Sequence, residues 1–137
     1  MKKNVLLLFV AVACLAIVSC KRDDDAPLAY VNFSIDPDSP AYSGLNTVGG
    51  YAYLTGGYCG VVVFRTSWTD FVAYERGCPN DNSTAVEVDP DNSVILFCPK
   101  CGSQFVYTDG SPIEGVAKTS LRQYNAVYSG GMLHVYN

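Results

Sequence analysis

Four cysteines in the body of this 137-residue chain hold most of the chemistry that its residue types allow: Cys59, Cys78, Cys98 and Cys101. Thiolates are soft metal ligands and nucleophiles, and paired thiols are halves of cystine. Two of the cysteines precede proline after short apolar runs, in Cys78-Pro79-Asn80 and in Cys98-Pro99-Lys100-Cys101-Gly102-Ser103. A Cys-x-x-Cys pair serves a tetrahedral metal, a redox dithiol or a disulfide. Redox dithiols usually open a helix in an α/β fold, whereas Cys98 follows a strand-like run, so metal and cystine are the readings carried forward. No other catalytic set is present. Ser103 has no histidine partner for activation as a nucleophile. His134, the one histidine, reads as an ordinary residue of the last strand. Asp81, Asp89 and Asp91 lack the glycine and glutamate of a calcium loop and read as solvated turn residues. The chain is therefore not expected to be an enzyme in its own right.

The elements that must position these thiols are strands. Short apolar-alternating segments separated by turn residues run from Tyr30 onward, and no stretch of ten residues has helical period. The predicted strands are 30–35, 50–54, 61–65, 71–75, 85–88, 94–97, 104–107, 124–128 and 132–136. Asp36–Pro40, Thr55–Gly57, Asp89–Ser93, Asp109-Gly110 and Gly130-Gly131 supply turns. Only Leu45–Val48 and Pro112–Leu121 leave room for a turn of helix. The fold class is all-β and antiparallel. Tyr51, Tyr53, Tyr58, Phe64, Phe71 and Tyr74 alternate as core residues do. Pairing 61–65 against 71–75 around Trp68 sets Val61 opposite Glu75, and continuing the count sets Cys59 opposite Gly77, beside the Cys78 loop.

Residues 1–19 read as a signal peptide, with Lys2 and Lys3 ahead of the apolar run Val5–Val18. That run is shorter than the roughly 20 residues a spanning helix needs. Ile17-Val18-Ser19-Cys20 looks like a bacterial lipobox, making Cys20 the lipidated residue and the first of the mature chain. Residues 20–29 form a polar tether; its Lys21-Arg22-Asp23-Asp24-Asp25 run is similar in composition to the acidic signals that send some lipoproteins of the Bacteroides group to the cell surface. The expected place is the outer membrane, on its periplasmic face or at the cell surface, with the membrane engaged through the lipid. Cys20→Ala is expected to release the protein from the membrane fraction or leave it as an unprocessed precursor, as mass spectrometry of the N-terminus would show. The remaining 118 residues suffice for one domain, 30–137. They carry seven Lys plus Arg against thirteen Asp plus Glu, and this acidic balance argues against nucleic acid as a partner.

The two cysteine-proline loops resemble the cluster-binding loops of Rieske domains, which use Cys-x-His and then Cys-x-x-His-Gly-x-x-Phe, so that two thiolates hold one iron and two imidazoles the other. Gly102-Ser103-Gln104-Phe105 reproduces the tail of the second motif, and the interval between Asn80 and Cys98 is similar to the family's. Gly60–Arg65 with Phe71–Pro79 resembles the hairpin that enters the first loop. Asp109–Ala117, Leu121–Tyr124 and Gly130–Val135 resemble the third loop and the closing hairpin. The resemblance covers roughly 42–137 and implies a Rieske-like antiparallel β-sandwich with a small loop-bearing tip subdomain. It departs from the family where Asn80 and Cys101 stand in place of both histidines and Val116 in place of the third-loop proline. The resemblance puts Cys78, Asn80, Cys98 and Cys101 in the cofactor positions, with Cys59 as an extra thiol nearby. The favoured expectation is a module without cofactor, its loops joined by disulfides and acting in structure or interaction at the envelope. The alternative is an electron-transfer protein that holds a [2Fe–2S] cluster or zinc through Cys78, Cys98, Cys101 and a fourth ligand, working with an envelope or redox partner.

Overall fold

The structure is a computed structural model that describes residues 29–137. The segments expected to be the signal peptide (1–19) and, save its last residue, the lipidated tether (20–29) lie outside the described residues.

Among the described residues twelve strands build two larger sheets and a small hairpin, with every pairing antiparallel. The base is a six-stranded sheet in the order β1 (Asn32–Ile35), β12 (Met132–Tyr136), β11 (Gln123–Ser129), β4 (Phe71–Glu75), β3 (Val61–Arg65) and β2 (Tyr51–Leu54). The tip carries β10 (Pro112–Glu114), β9 (Gln104–Val106), β8 (Ile95–Phe97) and β7 (Glu87–Val88) in one sheet, and the hairpin of β5 (Gly77–Cys78) with β6 (Asp81–Ala85).

The run Val61-Val62-Val63-Phe64 explains how base and tip are joined. Successive strand residues point to opposite faces, so a strand apolar at every position must be covered on both sides. Val61 and Val63 enter one core with Val31, Ile35, Leu45, Phe71, Ala73, Tyr124, Leu133 and Val135. Val62 and Phe64 enter a second core with Tyr74, Val86, Val88, Leu96, Phe105, Ala117 and Leu121, and there Cys78 and Cys98 are also buried. The β3–β4 hairpin is thus shared by both cores and fixes the thiol-bearing tip to the base.

Nearly every strand read from the sequence is present, within a residue or two at its ends. The expected register also holds: Val61 pairs with Glu75 and Arg65 with Phe71. Two local expectations are corrected. The single helical turn among the described residues is a 3-10 segment at Pro40–Leu45 rather than at 45–48, because Pro40 presets its first turn. The stretch 112–121 forms β10 and then turns, since pairing Pro112 with Phe105 satisfies backbone that an isolated short helix would leave to solvent.

Among the described residues two charged side chains, Arg65 and Glu75, are buried in the base. Arg65, at the end of β3, donates from Nη1 to Asp38 (2.6 Å) and the Leu45 carbonyl (2.9 Å), and from Nη2 to the Trp68 carbonyl (2.9 Å). Its guanidinium also lies against the rings of Phe71 and Trp68, at 5.1 and 5.5 Å. Arg65 thereby holds the 36–45 turn against the sheet.

Candidate metal centre

Three loops meet at the tip. The first is the two-residue turn Pro79-Asn80 between β5 and β6, with Cys78 paired to Asp81. The second joins β8 to β9 and contains Cys98–Ser103; Cys98 N–H donates to the Ser103 carbonyl and Gly102 N–H to the Cys98 carbonyl, both at 2.9 Å. Gly102 has φ +71°, a left-handed conformation that residues with a Cβ rarely adopt, so glycine is what lets the chain turn back immediately after Cys101. The third loop follows β10 at Gly115-Val116-Ala117.

The sulfurs of Cys78, Cys98 and Cys101 all lie within 4.8 Å of one another, and those of Cys78 and Cys101 are 3.6 Å apart. Cys78 and Cys98 are fully buried, whereas Cys101 is half-buried at the outer corner of the triangle. The Cys78 sulfur accepts the backbone N–H groups of Asn80 and Asp81. Burial nevertheless pushes this thiol up to about 12, with the neighbouring thiols of Cys98 and Cys101 acting in the same direction. Cys101 moves the other way. Burial opposes its ionisation, but hydrogen bonds from the Ser103 hydroxyl and N–H and from the other two thiols outweigh that and bring it down to about 7. A bound cation would deprotonate all three, because a coordinating thiol gives up its proton outright.

Ser103 organises this corner although the sequence singled it out only to dismiss it as a nucleophile. It is fully buried, and its Oγ accepts N–H groups from Val116 (3.1 Å) and Ala117 (3.0 Å). A hydroxyl has two lone pairs and one proton; with both lone pairs engaged, the proton is left for the Cys101 sulfur at 3.2 Å. Gly115 packs so tightly here that an added Cβ would stand 2.5 Å from the Ser103 Cα. Ser103→Ala would strip the acceptor from two backbone donors and the donor from one sulfur. It is expected to cost about 1–3 kcal/mol and to raise the pH midpoint for alkylation of Cys101 in metal-free protein above its value of about 7. An unchanged midpoint would show that the hydroxyl points elsewhere. Lys100 and Asp81 tie the second loop to the first with an ion pair of 2.9 Å, a surface contact of small energetic weight whose effect is on loop alignment.

Cys59 sits beside the first loop, as the hairpin count expected: a Cβ added at Gly77 would be 3.6 Å from its sulfur. It does not join the three-thiol group, however, and its thiol is directed at the Asn82 carbonyl 3.6 Å away. Asn80 is exposed and lines a cavity of about 320 Å³ with Pro79, Asn82, Val116, Lys118 and Thr119. His134 is exposed on β12 and bonded to Ser34 at 2.7 Å, and Asp89 caps its own turn by accepting the N–H groups of Asp91 and Asn92.

The disulfides favoured from the sequence are not formed. Cys59, Cys78, Cys98 and Cys101 are all free thiols, and the 3.6 Å between Cys78 and Cys101 is far beyond a sulfur–sulfur bond of about 2.05 Å. A Rieske-type centre with two imidazoles on its second iron does not fit either, since the one histidine is outside the group. What the donor set fits is thiolate coordination of a metal or cluster.

No family model and no curated protein matches the chain. Among solved structures, it is similar to a chain of the complex of reduced oxygenase and oxidized ferredoxin in carbazole 1,9a-dioxygenase, with a TM-score of 0.50 and 16% identity over 80% of this chain and 94% of the other. The ferredoxin of carbazole 1,9a-dioxygenase from Nocardioides aromaticivorans IC177 also matches, with a TM-score of 0.46 and 18% identity over 66% of this chain and 86% of the other. At these identities the likeness to the first of them shows the fold alone: an all-β, antiparallel architecture of the Rieske ferredoxin kind, as the loop motifs predicted.

Proposed function

We propose that the mature chain is a lipid-anchored electron-transfer protein whose metal centre is held by Cys78, Cys98 and Cys101, and that it exchanges electrons with a partner oxidoreductase instead of transforming a substrate itself. The observation that carries this reading is the convergence of three thiols, all within 4.8 Å, at the junction of the tip loops. The ferredoxin fold supports it, and the complex to which the chain is similar pairs a ferredoxin with an oxygenase. The chain's own residues would supply soft anionic ligands, backbone N–H groups aimed at the Cys78 sulfur, and an apolar core that keeps water from two of the three sulfurs. A bound metal would supply the one-electron exchange. The lipobox and acidic tether support anchoring at Cys20 in the outer membrane. The test is metal and sulfide analysis, a visible spectrum and a redox titration on protein purified without reductant. The expected result is stoichiometric metal with a reversible one-electron transition. Colourless, metal-free protein with bridged cysteines would overturn this and restore the stapled, cofactor-free module.

A further inference from the structure

A four-ligand thiolate cluster and a single metal ion ask for different sulfur positions, and this tip meets the demands of only one of them. Two thiolates on one tetrahedral ion, with metal–sulfur bonds of about 2.3 Å, stand about 3.8 Å apart. Thiolates on opposite irons of a two-iron cluster are separated further, by the distance between the irons in addition. Here all three sulfurs lie within 4.8 Å of one another, and the Cys78–Cys101 pair is at 3.6 Å. Cys101 is the decisive residue. It occupies the position from which the Rieske motif's second imidazole would reach the far iron, but a cysteine sulfur stands one bond from Cβ where an imidazole nitrogen stands two. The shorter reach leaves it on the side of Cys78 and Cys98.

The surroundings hold it there. Gly102 turns the chain back after Cys101, and the Cys98–Ser103 backbone bonds close that turn. Ser103, itself anchored by the Val116 and Ala117 N–H groups, contacts the Cys101 sulfur at 3.2 Å. Moving Cys101 toward a second iron would break this contact. On the far side the ligands are lacking: among the described residues no histidine, carboxylate or fourth cysteine joins the group, and Asn80 offers only an exposed amide. Cys98-x-x-Cys101 is also the spacing by which one turn delivers two thiolates to one tetrahedral ion.

We infer that the tip is a one-ion site, in which Cys78, Cys98 and Cys101 bind a single thiophilic transition-metal ion and solvent completes the fourth position at the half-buried Cys101 corner. The inference rests on the electron-transfer reading for the identity of the ion, which must then be redox-active, as zinc is not; iron is the ion tested.

The test uses the mature chain, analysed for metal as isolated and then, stripped anaerobically, titrated with Fe(II) alone or Co(II) alone, without sulfide. The expected result is one iron per chain and no acid-labile sulfide in the isolated protein. Co(II) should saturate at one equivalent with tetrahedral d–d bands and thiolate charge transfer, and imidazole should shift those bands by entering the fourth position. Bound metal should protect the half-buried Cys101 from alkylation while Cys59 still reacts. Two irons with two sulfides per chain, together with failure to retain iron without sulfide, would overturn the one-ion site and leave the electron carrier standing. One zinc in place of iron in the isolated protein would overturn the iron assignment and the electron-transfer reading together. Failure to retain any metal or cluster, with Cys101 alkylated as readily after metal addition as before it, would overturn both.

Discussion

Cys98→Ser is expected to abolish metal binding at the proposed three-thiol centre, whereas Cys59→Ala is expected to leave it intact. Cys98 is fully buried at the inner corner of the sulfur triangle, in the same core as Leu96, Phe105 and Val86. Serine there substitutes a hard, poorly ionised hydroxyl for a soft thiolate and sits too deep for water to take over as ligand. Loss of groups that merely orient a ligand costs 10–100-fold in affinity, so loss of the ligand itself should weaken binding by more than about 100-fold. Metal content per chain, measured after gel filtration, reads the effect directly. A folding defect is excluded by the circular dichroism of the same samples, because a one-atom change of similar size opens no large cavity. The Cys59 control carries its own weight. Cys59 is beside the first loop yet faces the Asn82 carbonyl, and if Cys59→Ala lost the metal as completely as Cys98→Ser, the three-thiol assignment would be wrong.

The second large effect concerns the base beneath that loop. Glu75 is almost fully buried, and its carboxylate accepts four donors: the N–H groups of Tyr58 (2.7 Å), Cys59 (2.8 Å) and Gly77 (3.0 Å), and the Tyr124 hydroxyl (2.7 Å). One carboxylate therefore fixes both the loop ahead of Gly60 and the residue immediately before Cys78. Gly57 is part of the fit, since a Cβ there would stand 2.3 Å from the Glu75 Oε2. Glu75→Ala leaves three backbone donors and a phenol facing apolar surroundings, each costing about 1–3 kcal/mol if unsolvated. Entry of water into the space offsets part of that, and a net loss of about 3–5 kcal/mol is expected by denaturant unfolding. Tyr124→Phe removes a single donor and should cost only about 1 kcal/mol. Equal effects of the two substitutions would refute the network.

Glu75 also predicts a pH dependence. Burial works against its ionisation, but the hydrogen bonds from Tyr58, Cys59, Tyr124 and Gly77 prevail and hold the carboxyl below its ordinary value of 4.5. A carboxyl whose folded value lies below its unfolded one contributes its full stabilisation above the unfolded value, and this is lost as pH falls through the folded one. Wild-type stability should thus decline as the pH drops below about 4. Glu75→Gln, less stable at neutral pH, should show a shallower decline.

Much of this protein was legible in its sequence because the responsible forces are local. Alternation of apolar residues, with proline, glycine and aspartate between runs, determined the strands; the five-residue connection around Trp68 determined the hairpin register that puts Cys59 beside Gly77. The spacing of Cys78, Cys98 and Cys101 with Gly102–Phe105 was enough to propose the fold that the structure shares with a ferredoxin complex. Glu75 was detectable in principle, since it shares a strand face with Phe71 and Ala73 and is the one charge in that row; its four donors come from distant positions and were not.

What the thiols do with one another was decided only by tertiary structure. Cys78 and Cys101 are carried by separate hairpins, so their separation depends on how β5–β6 packs against β8–β9, and a shift of an ångström or two divides disulfide, single ion and two-iron cluster. Spacing along a chain constrains such a distance only as an upper limit. The bonds from the Val116 and Ala117 N–H groups to Ser103, the tight approach of Gly115 and the Lys100–Asp81 pair supply the remaining constraint, and each joins segments whose proximity no local pattern encodes.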